Sequence, residues 1–257
     1  MKNVIRALLA LAFLCTSDAF ATISFVSAVA VDDGGSDGTT LTATLTVTAG
    51  NTIYIFAKFD NPCSAATTTF SDNAGTPNTY TQIDSSVQDA GSFTCSAHFR
   101  AAITTTQSSA TITMTTSATT HSRGFSLLQF SGLAATGYLD AHPAIATADS
   151  ALTLTPSSFN TSAANEVVVS GGGSNTINHT WTADATHCQG GAFTLPAAAV
   201  GTNKETSAQY CILNATQTGQ VATTTIDSNT ASLSAGVVSF SATSGGTTRV
   251  VHRVINN

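Results

Sequence analysis

The chain contains very little charge. Only 9% of its 257 residues are Asp, Glu, Lys or Arg, whereas a typical soluble domain carries roughly 25%. There are eight basic residues and only two glutamates, Glu166 and Glu205. The sequence therefore lacks the basic face with which proteins bind nucleic-acid phosphates, and it offers few carboxylates for acid–base catalysis.

Long apolar segments are also missing after the N-terminus. A positively charged start precedes the apolar run Ala7–Cys15, which is too short to span a bilayer. Ala19–Ala21 then supplies the small residues of a signal-peptidase site. We therefore expect residues 1–21 to be a signal peptide and the mature protein to begin at Thr22. Such a protein is secreted or held at the cell surface, without a membrane span.

Cysteine motifs of the C-x-x-C type are absent, which argues against a structural zinc site. Removal of the signal peptide takes away Cys15 and leaves an even number of scattered cysteines, which is typical of exported proteins with disulfides. Four cysteines allow three pairings. We favour Cys63–Cys95 and Cys188–Cys211, because each pair closes a modest loop within its own half of the chain.

Threonine is the residue in excess, with 46 copies. Leu41–Thr48 alternates apolar residues with threonine, which is the period-two pattern of a half-buried strand. Ile53–Phe59 is more apolar and is typical of a central strand. Separate strands are also predicted at Ala110–Thr116 and Gly124–Phe130. Since no segment after the signal peptide keeps a 3.6-residue apolar period, the sequence predicts an all-β protein.

The two halves of the chain resemble each other. Four pairs of segments match in a common order at an offset of about 111 residues: Asn51–Tyr54 with Asn165–Val168 (where the offset is 114), Ser96–Phe99 with Ser207–Tyr210, Ala110–Ser117 with Val221–Ser228, and Ser126–Ser131 with Gly236–Ser241. This order indicates an internal duplication with pseudo-repeats at about 41–133 and 152–243. We expect one continuous sandwich over 22–244, because no long linker separates the halves; two small tandem sandwiches are the alternative.

Turn residues separate the predicted strands. Asp32–Gly35 and Gly171–Asn175 are two such breaks. The first break continues to Asp37, and an oxygen-rich loop of this kind can bind calcium. Asp32, Asp33 and Asp37 are therefore candidate calcium ligands. A plain turn, in which the aspartates cap the backbone, is the simpler interpretation.

Three phrases of turn and strand residues suggest a family. Thr69–Gly75, Asn78–Gln82 and Leu127–Leu133 occur in this order, and the chain thereby resembles exported bacterial β-sandwich domains found in large Thr/Ser-rich surface proteins. The likeness covers roughly residues 22–243. It implies a jelly-roll-like antiparallel β-sandwich, here built from two similar halves, and it brings no catalytic residues and no general activity. The segment 245–257 lies beyond the last matching strand.

Catalytic signatures are missing as well. The sequence contains no G-x-S-x-G, H-E-x-x-H, P-loop or G-x-G-x-x-G motif. We expect no enzyme activity and no cofactor other than the calcium ion considered above. A secreted hydrolase, whose serine and histidine are distant in sequence, is the third candidate function.

Some side chains could bind a ligand or carry an unusual charge. Trp181, Tyr80 and Tyr138 can present aromatic faces to a sugar ring, although the alternation around Trp181 also fits burial in the core. Lys58 and Glu166 are charges within strand-like runs. Placement on edge strands, where a charge blocks unwanted pairing, explains them; a buried Lys–Glu–Asn amide crosslink is the alternative.

These observations predict a structural protein of an extracellular surface layer, matrix or filament. A carbohydrate-binding, lectin-like or adhesion module is the alternative function, with glycans as partners. The C-terminal residues 245–257 are predicted to form an extension strand, since Thr247–Ile255 is rich in β-branched residues. We expect self-association through this strand by addition to the sheet edge of a neighbouring copy.

Overall fold

The computed structural model describes the following residues: 21–60, 67–84, 94–134, 139–203, 205–228 and 232–243, together with the backbone of 87–88. Apart from Ala21, the predicted signal peptide lies outside the described residues. The predicted strand Thr247–Ile255 also lies outside them, as do Cys63 and Tyr138. The predictions made for these residues stay predictions.

The described residues form strands joined by loops, with one short 3₁₀ turn at Ala197–Ala199 and no α-helix. The strands are β1 Ser24–Asp32, β2 Gly38–Val47, β3 Thr52–Asp60, β4 Thr68–Asp72, β5 Tyr80–Gln82, β6 Val87–Gln88, β7 Thr94–Ala102, β8 Gln107–Ser131, β9 Leu139–Ala141, β10 Ala146–Ala148, β11 Thr153–Leu154, β12 Glu166–Ser174, β13 Trp181–Thr182, β14 Thr206–Leu213, β15 Thr224–Ile226 and β16 Leu233–Ser241. Every pairing among them is antiparallel. The predicted all-β, antiparallel sandwich is confirmed. Nowhere in this part of the chain is there a helix with the length and apolarity needed to cross a membrane.

Two central sheets pack face to face. The first central sheet has the order β1-β8-β3-β7-β5, and the second has the order β10-β16-β12-β14. Apolar side chains of both sheets meet in a shared core, which includes Tyr54, Phe56, Leu128, Phe130, Val167, Val169, Val238 and Phe240. Burial of this much apolar surface is the main force that holds the two halves of the chain together.

Each central sheet also has an outer layer. The strands β2 and β4 and the first part of β8 cover the first central sheet, and Leu45 and Phe70 of this layer belong to one apolar cluster with Ile55 of β3. The small sheet β11-β15-β13 lies over the second central sheet and contributes Trp181 and Ile226 to a further apolar cluster. Each half is therefore a small sandwich, and the two sandwiches are fused through the shared core.

Strand β8 is 25 residues long because it belongs to two layers. Residues 107–120 pair with β2 and β4, and residues 121–131 pair with β1 and β3. Ser122 lies where the strand passes between the layers, and its φ of 47° is uncommon for a residue other than glycine. The strands predicted at Ala110–Thr116 and Gly124–Phe130 are thus two parts of one strand.

The strand order supports the two similar halves. The order β8-β3-β7 in the first central sheet recurs as β16-β12-β14 in the second. Phe130 and Phe240, which match in the sequence, both face the shared core. Tyr54 faces this core too, but its match Val168 faces the outer cluster of the second half. A shift of one residue moves a side chain to the opposite face of its strand. The sequence match of Tyr54 with Val168 is therefore out of register by one residue, and Val169 is the residue that faces the shared core.

The turn predicted at Gly171–Asn175 is wrong for its first four residues, which belong to β12. Gly171 and Gly173 lie where the two central sheets approach closely, which leaves no room for a side chain. A Cβ atom on Gly171 would overlap the ring of Phe56, and one on Gly173 would press against the side chain of Lys58.

Lys58 and Glu166 do not lie on edge strands. The strand β3, which carries Lys58, pairs with β7 and β8, and β12, which begins with Glu166, pairs with β14 and β16. Both side chains are buried. The edge-strand explanation is therefore wrong, and both charges need partners inside the protein.

The predicted disulfide Cys188–Cys211 is present, with a Cα–Cα distance of 5.5 Å. It anchors the loop before the 3₁₀ turn to β14 of the second central sheet. Cys95 is also disulfide-bonded, and its predicted partner Cys63 lies outside the described residues.

Replacement of Cys188 and Cys211 by alanine is expected to lower the free energy of unfolding by about 3 kcal/mol. The disulfide closes a loop with a sequence separation of 23 residues, and its loss frees that loop in the unfolded chain. Urea unfolding followed by circular dichroism measures the effect. Equal midpoints for the wild type and the double variant would contradict this expectation.

Candidate functional site

The outer sheet of the first half carries a regular set of hydroxyl side chains on its solvent side. Apolar residues of its strands point into the core, and the alternate positions point outward. We call the outward set the threonine face: Thr40, Thr42, Thr44 and Thr46 of β2, Thr111, Thr113 and Thr115 of β8, and Thr69 and Ser71 of β4. The members on the outer strands β2 and β4 are exposed, and those on the middle strand β8 are half-buried between their neighbours.

The strand register aligns the threonine face in rows. Thr115 pairs with Thr40 on one side and with Thr69 on the other, and the next row repeats this arrangement around Thr113. Neighbouring strands lie about 4.8 Å apart, and successive residues on one face lie about 6.7 Å apart. Hydroxyl and methyl groups therefore repeat in two dimensions on this face.

The threonine face contains no Asp, Glu, Lys or Arg. Each threonine offers one hydroxyl that donates and accepts hydrogen bonds, next to one methyl group. Because no charge has to be desolvated, such a face suits contact with another neutral and ordered surface. A sheet of a neighbouring protein and a polysaccharide chain both have this character.

The candidate calcium ligand Asp32 lies at the end of β1 and is buried. Its carboxylate accepts the backbone N–H groups of Asn203 and Glu205, the second at 3.1 Å. Burial raises the pKa of Asp32, against the lowering effect of these hydrogen bonds. Asp32 thus links the first half of the chain to a loop of the second half.

The other two candidates have different partners. Asp33 forms a salt bridge with the buried guanidinium of Arg123, while Asp37 pairs with the exposed His121 at 2.8 Å. Among the residues that the structure describes, no group of three or more His, Cys, Asp or Glu side chains is placed to hold a metal ion. The three aspartates are not brought together into a cation site.

The candidate aromatic residues are also separated. Trp181 is only 7% exposed and packs with Ile226 and Leu233. It is therefore a core residue, and its ring presents no face to solvent. Tyr80 is half-buried in β5, and its hydroxyl donates to Asp72 at 3.1 Å. Tyr138 lies outside the described residues.

One cluster has the composition of a catalytic triad. His179 Nε2 lies 3.0 Å from Ser174 Oγ, and Nδ1 lies 3.7 Å from Asp227 Oδ1. However, Ser174 is fully buried, and its Oγ accepts the backbone N–H of Thr176. Nδ1 is closer to Ser228 Oγ, at 3.0 Å. These contacts hold the loop after β12 against the end of β15.

A buried charged cluster lies between the two halves. Lys58 Nζ has no exposure and lies 3.3 Å from Asp60 Oδ2 and 3.5 Å from Glu205 Oε2. It also donates to Ser122 Oγ at 2.8 Å, and Ser122 in turn donates to Glu205 at 2.7 Å. Asp60, Ser122 and Glu205 were not singled out by any sequence pattern. The cluster joins β3 and β8 of the first half to the start of β14 in the second.

Burial changes the acidity of this cluster. It raises the pKa of Asp60 to about 6 and raises the pKa of Glu205, although the nearby Lys58 lowers both. The pKa values rise because a carboxylate loses its hydration inside the protein. Asp60 therefore takes up a proton at a higher pH than an exposed aspartate does.

Glu166 is not part of this cluster. It lies at the other end of β12 from Gly173, which approaches Lys58, and seven residues of strand span roughly 23 Å. Its carboxylate accepts the backbone N–H of Ala163 at 2.7 Å, and burial raises the pKa of Glu166 to about 7. A Lys–Glu–Asn crosslink that contains both Lys58 and Glu166 is therefore excluded by this separation.

Comparisons with known proteins give no further guide to the function of these features. No protein-family model matches the chain, and no curated protein matches it significantly.

Proposed function

We propose that the protein is a non-enzymatic structural module of an extracellular surface layer, matrix or filament, and that the threonine face is its contact surface. The regular and uncharged threonine face is the observation that carries this proposal. The disulfide Cys188–Cys211 supports an oxidising compartment outside the cytoplasm, and so does the signal-like sequence at residues 1–21.

The packing of the two halves also supports a structural role. The shared core, the buried charged cluster and the contacts of Asp32 all join the first half to the second. A body held together in this way keeps a fixed shape and presents the threonine face in a fixed orientation. Modules that transmit force or build a lattice need this property.

The proposal predicts that charge on the threonine face blocks assembly. A Thr42→Lys/Thr113→Lys variant should need at least about tenfold more protein to assemble than the wild type, because two ammonium groups would be desolvated in the contact. Sedimentation velocity and negative-stain microscopy over a concentration series measure this. Thr216→Lys, at an exposed threonine of the second half, is the matched control and should assemble normally.

Two results would overturn the structural role. One is a wild-type protein that stays monomeric at high concentration and physiological salt. The other is an equal effect of Thr216→Lys on assembly, which would show that a positive charge blocks assembly wherever it lies on the surface.

The threonine face also favours the adhesion alternative, because sugar hydroxyls can pair with its threonine hydroxyls. A monomeric wild type that sediments with an insoluble neutral polysaccharide would support this alternative, provided that Thr42→Lys/Thr113→Lys abolishes the binding and Thr216→Lys does not.

A further inference from the structure

The Lys58 amine is placed against two carboxyl groups in a site that is almost closed to solvent. The side chain of Lys58 is fully buried, and those of Asp60 and Glu205 are 10% and 1% exposed. Glu205 reaches the amine from the second half of the chain, whereas Asp60 follows Lys58 by two residues on the same strand. The amine of one half thus meets the carboxyl group of the other.

We propose that Lys58 and Glu205 form an intramolecular amide bond that joins the two halves covalently. In this reaction the neutral amine attacks Cδ of Glu205, and the bond between Nζ and Cδ forms. The bond from Cδ to one carboxyl oxygen breaks, and this oxygen leaves as water with two protons that come from the ammonium group. No oxidant, reductant or other reactant is needed.

The neighbouring groups can move the protons of this reaction. The Asp60 carboxylate lies 3.3 Å from Nζ and can accept a proton from the ammonium group, which frees the nucleophile. Burial raises the pKa of Asp60 to about 6, so this group can hold the proton and then return it to the leaving oxygen. Ser122 Oγ, which contacts both the amine and Glu205, completes a hydrogen-bonded path between them.

Burial also favours the product. An ammonium group and a carboxylate inside a protein both lose their hydration, and their attraction often does not repay this cost. An amide carries no net charge, and the released water leaves the site. The dry surroundings further protect the amide against hydrolysis.

The bond is expected at Glu205 and not at Asp60. An amide between Lys58 and Asp60 would close a small ring within β3 and would join nothing. An amide with Glu205 connects β3 to the residue that precedes β14. This inference does not rest on the proposed function, and either can fail while the other stands.

The test is the mass of the full-length exported protein, measured after unfolding and reduction. We expect nearly all molecules to be lighter than the calculated chain by one water. Tryptic peptides then locate the change: an acylated Lys58 resists trypsin, so the peptide that ends at Arg100 should contain Lys58 and be linked to the peptide that starts at Glu205. Fragmentation of this linked peptide should place the bond between the two side chains.

Lys58→Arg is the matched control, because it keeps the positive charge but has no primary amine. Its mass should equal the calculated mass, which separates the amide from a succinimide formed elsewhere with the same loss of water. The full calculated mass for the wild type would overturn the proposal. So would a free peptide ending at Lys58, an amide mapped to Asp60, or a water loss that persists in Lys58→Arg.

Discussion

Replacement of Gly171 by valine is expected to lower the free energy of unfolding by about 3 kcal/mol or more. Gly171 lies in the middle of β12 and faces the ring of Phe56 across the shared core. The new side chain would occupy the space of this ring, so that the two central sheets must separate or the ring must leave its place. Overpacking of a filled core typically costs 1–3 kcal/mol and occasionally more. Urea unfolding of the wild type and the variant measures the loss.

Two further variants make this expectation specific. Gly75→Val is the control, because Gly75 is exposed and an added Cβ atom would have no other atom within 4 Å. It should change the free energy of unfolding by less than about 0.5 kcal/mol. Phe56→Ala together with Gly171→Val should be more stable than the sum of the two single changes predicts, since Phe56→Ala removes the ring with which the valine clashes, and the valine partly fills the cavity that the ring leaves. Additive effects would show that Gly171 and Phe56 are not in contact.

The sequence predicts the class of the fold well because its signal is local. Alternation of threonine with apolar residues determines which side of a strand is buried, and Leu41–Thr48 and Ile53–Phe59 are found as strands. The layering depends on distant contacts and was not predicted. Nothing near Ser122 in the sequence shows that β8 continues from an outer sheet into a central one. Gly171–Gly173 was assigned to a turn because glycine favours both turns and close sheet contacts.

The sites were harder to predict than the fold. The scarcity of charge correctly drew attention to Lys58, but its partner could not be chosen from the sequence. Glu205 is one of only two glutamates and immediately precedes β14, which is the signal that could have found it. Its contact with Lys58 depends on the packing of two half-chains, and no spacing rule describes such a contact. The threonine face was visible as alternation, although its rows depend on the strand register.

His98 makes the shared core sensitive to pH. It is fully buried beside Tyr54 and Phe56, with ring centroids 5.6 and 5.4 Å away, and neither ring nitrogen has a hydrogen-bond partner among the described residues. Burial lowers the pKa of His98 from 6.5 to about 3, with a smaller contribution from the charge of His142. The imidazole therefore stays neutral in the folded protein over the whole range in which the unfolded chain takes up a proton.

The carboxyl groups act in the opposite direction. Burial raises the pKa of Asp60 to about 6 and that of Glu166 to about 7, so the folded protein binds these protons more tightly than the unfolded chain. Their contribution to stability is fully present below the ordinary pKa values of 3.8 and 4.5 and is lost as the pH rises through 6 and 7. Acidification from pH 7.5 to 5 therefore stabilises the fold through Asp60 and Glu166 and destabilises it through His98.

His98→Leu should separate these opposing effects. Leucine fills a similar volume without a titrating group, so the free energy of unfolding of the wild type relative to this variant should fall as the pH drops below 6.5. The fall is 1.36 kcal/mol for each pH unit, or about 2 kcal/mol between pH 7.5 and pH 5.

Glu166→Gln provides the opposing control: relative to it, the wild type should lose stability as the pH rises from 5 to 8. Urea titrations of the three proteins at pH 5, 6.5 and 8 measure both trends. A constant gap between the wild type and His98→Leu would mean that His98 binds its proton equally well in the folded and unfolded chains, and that it does not lie in a closed core.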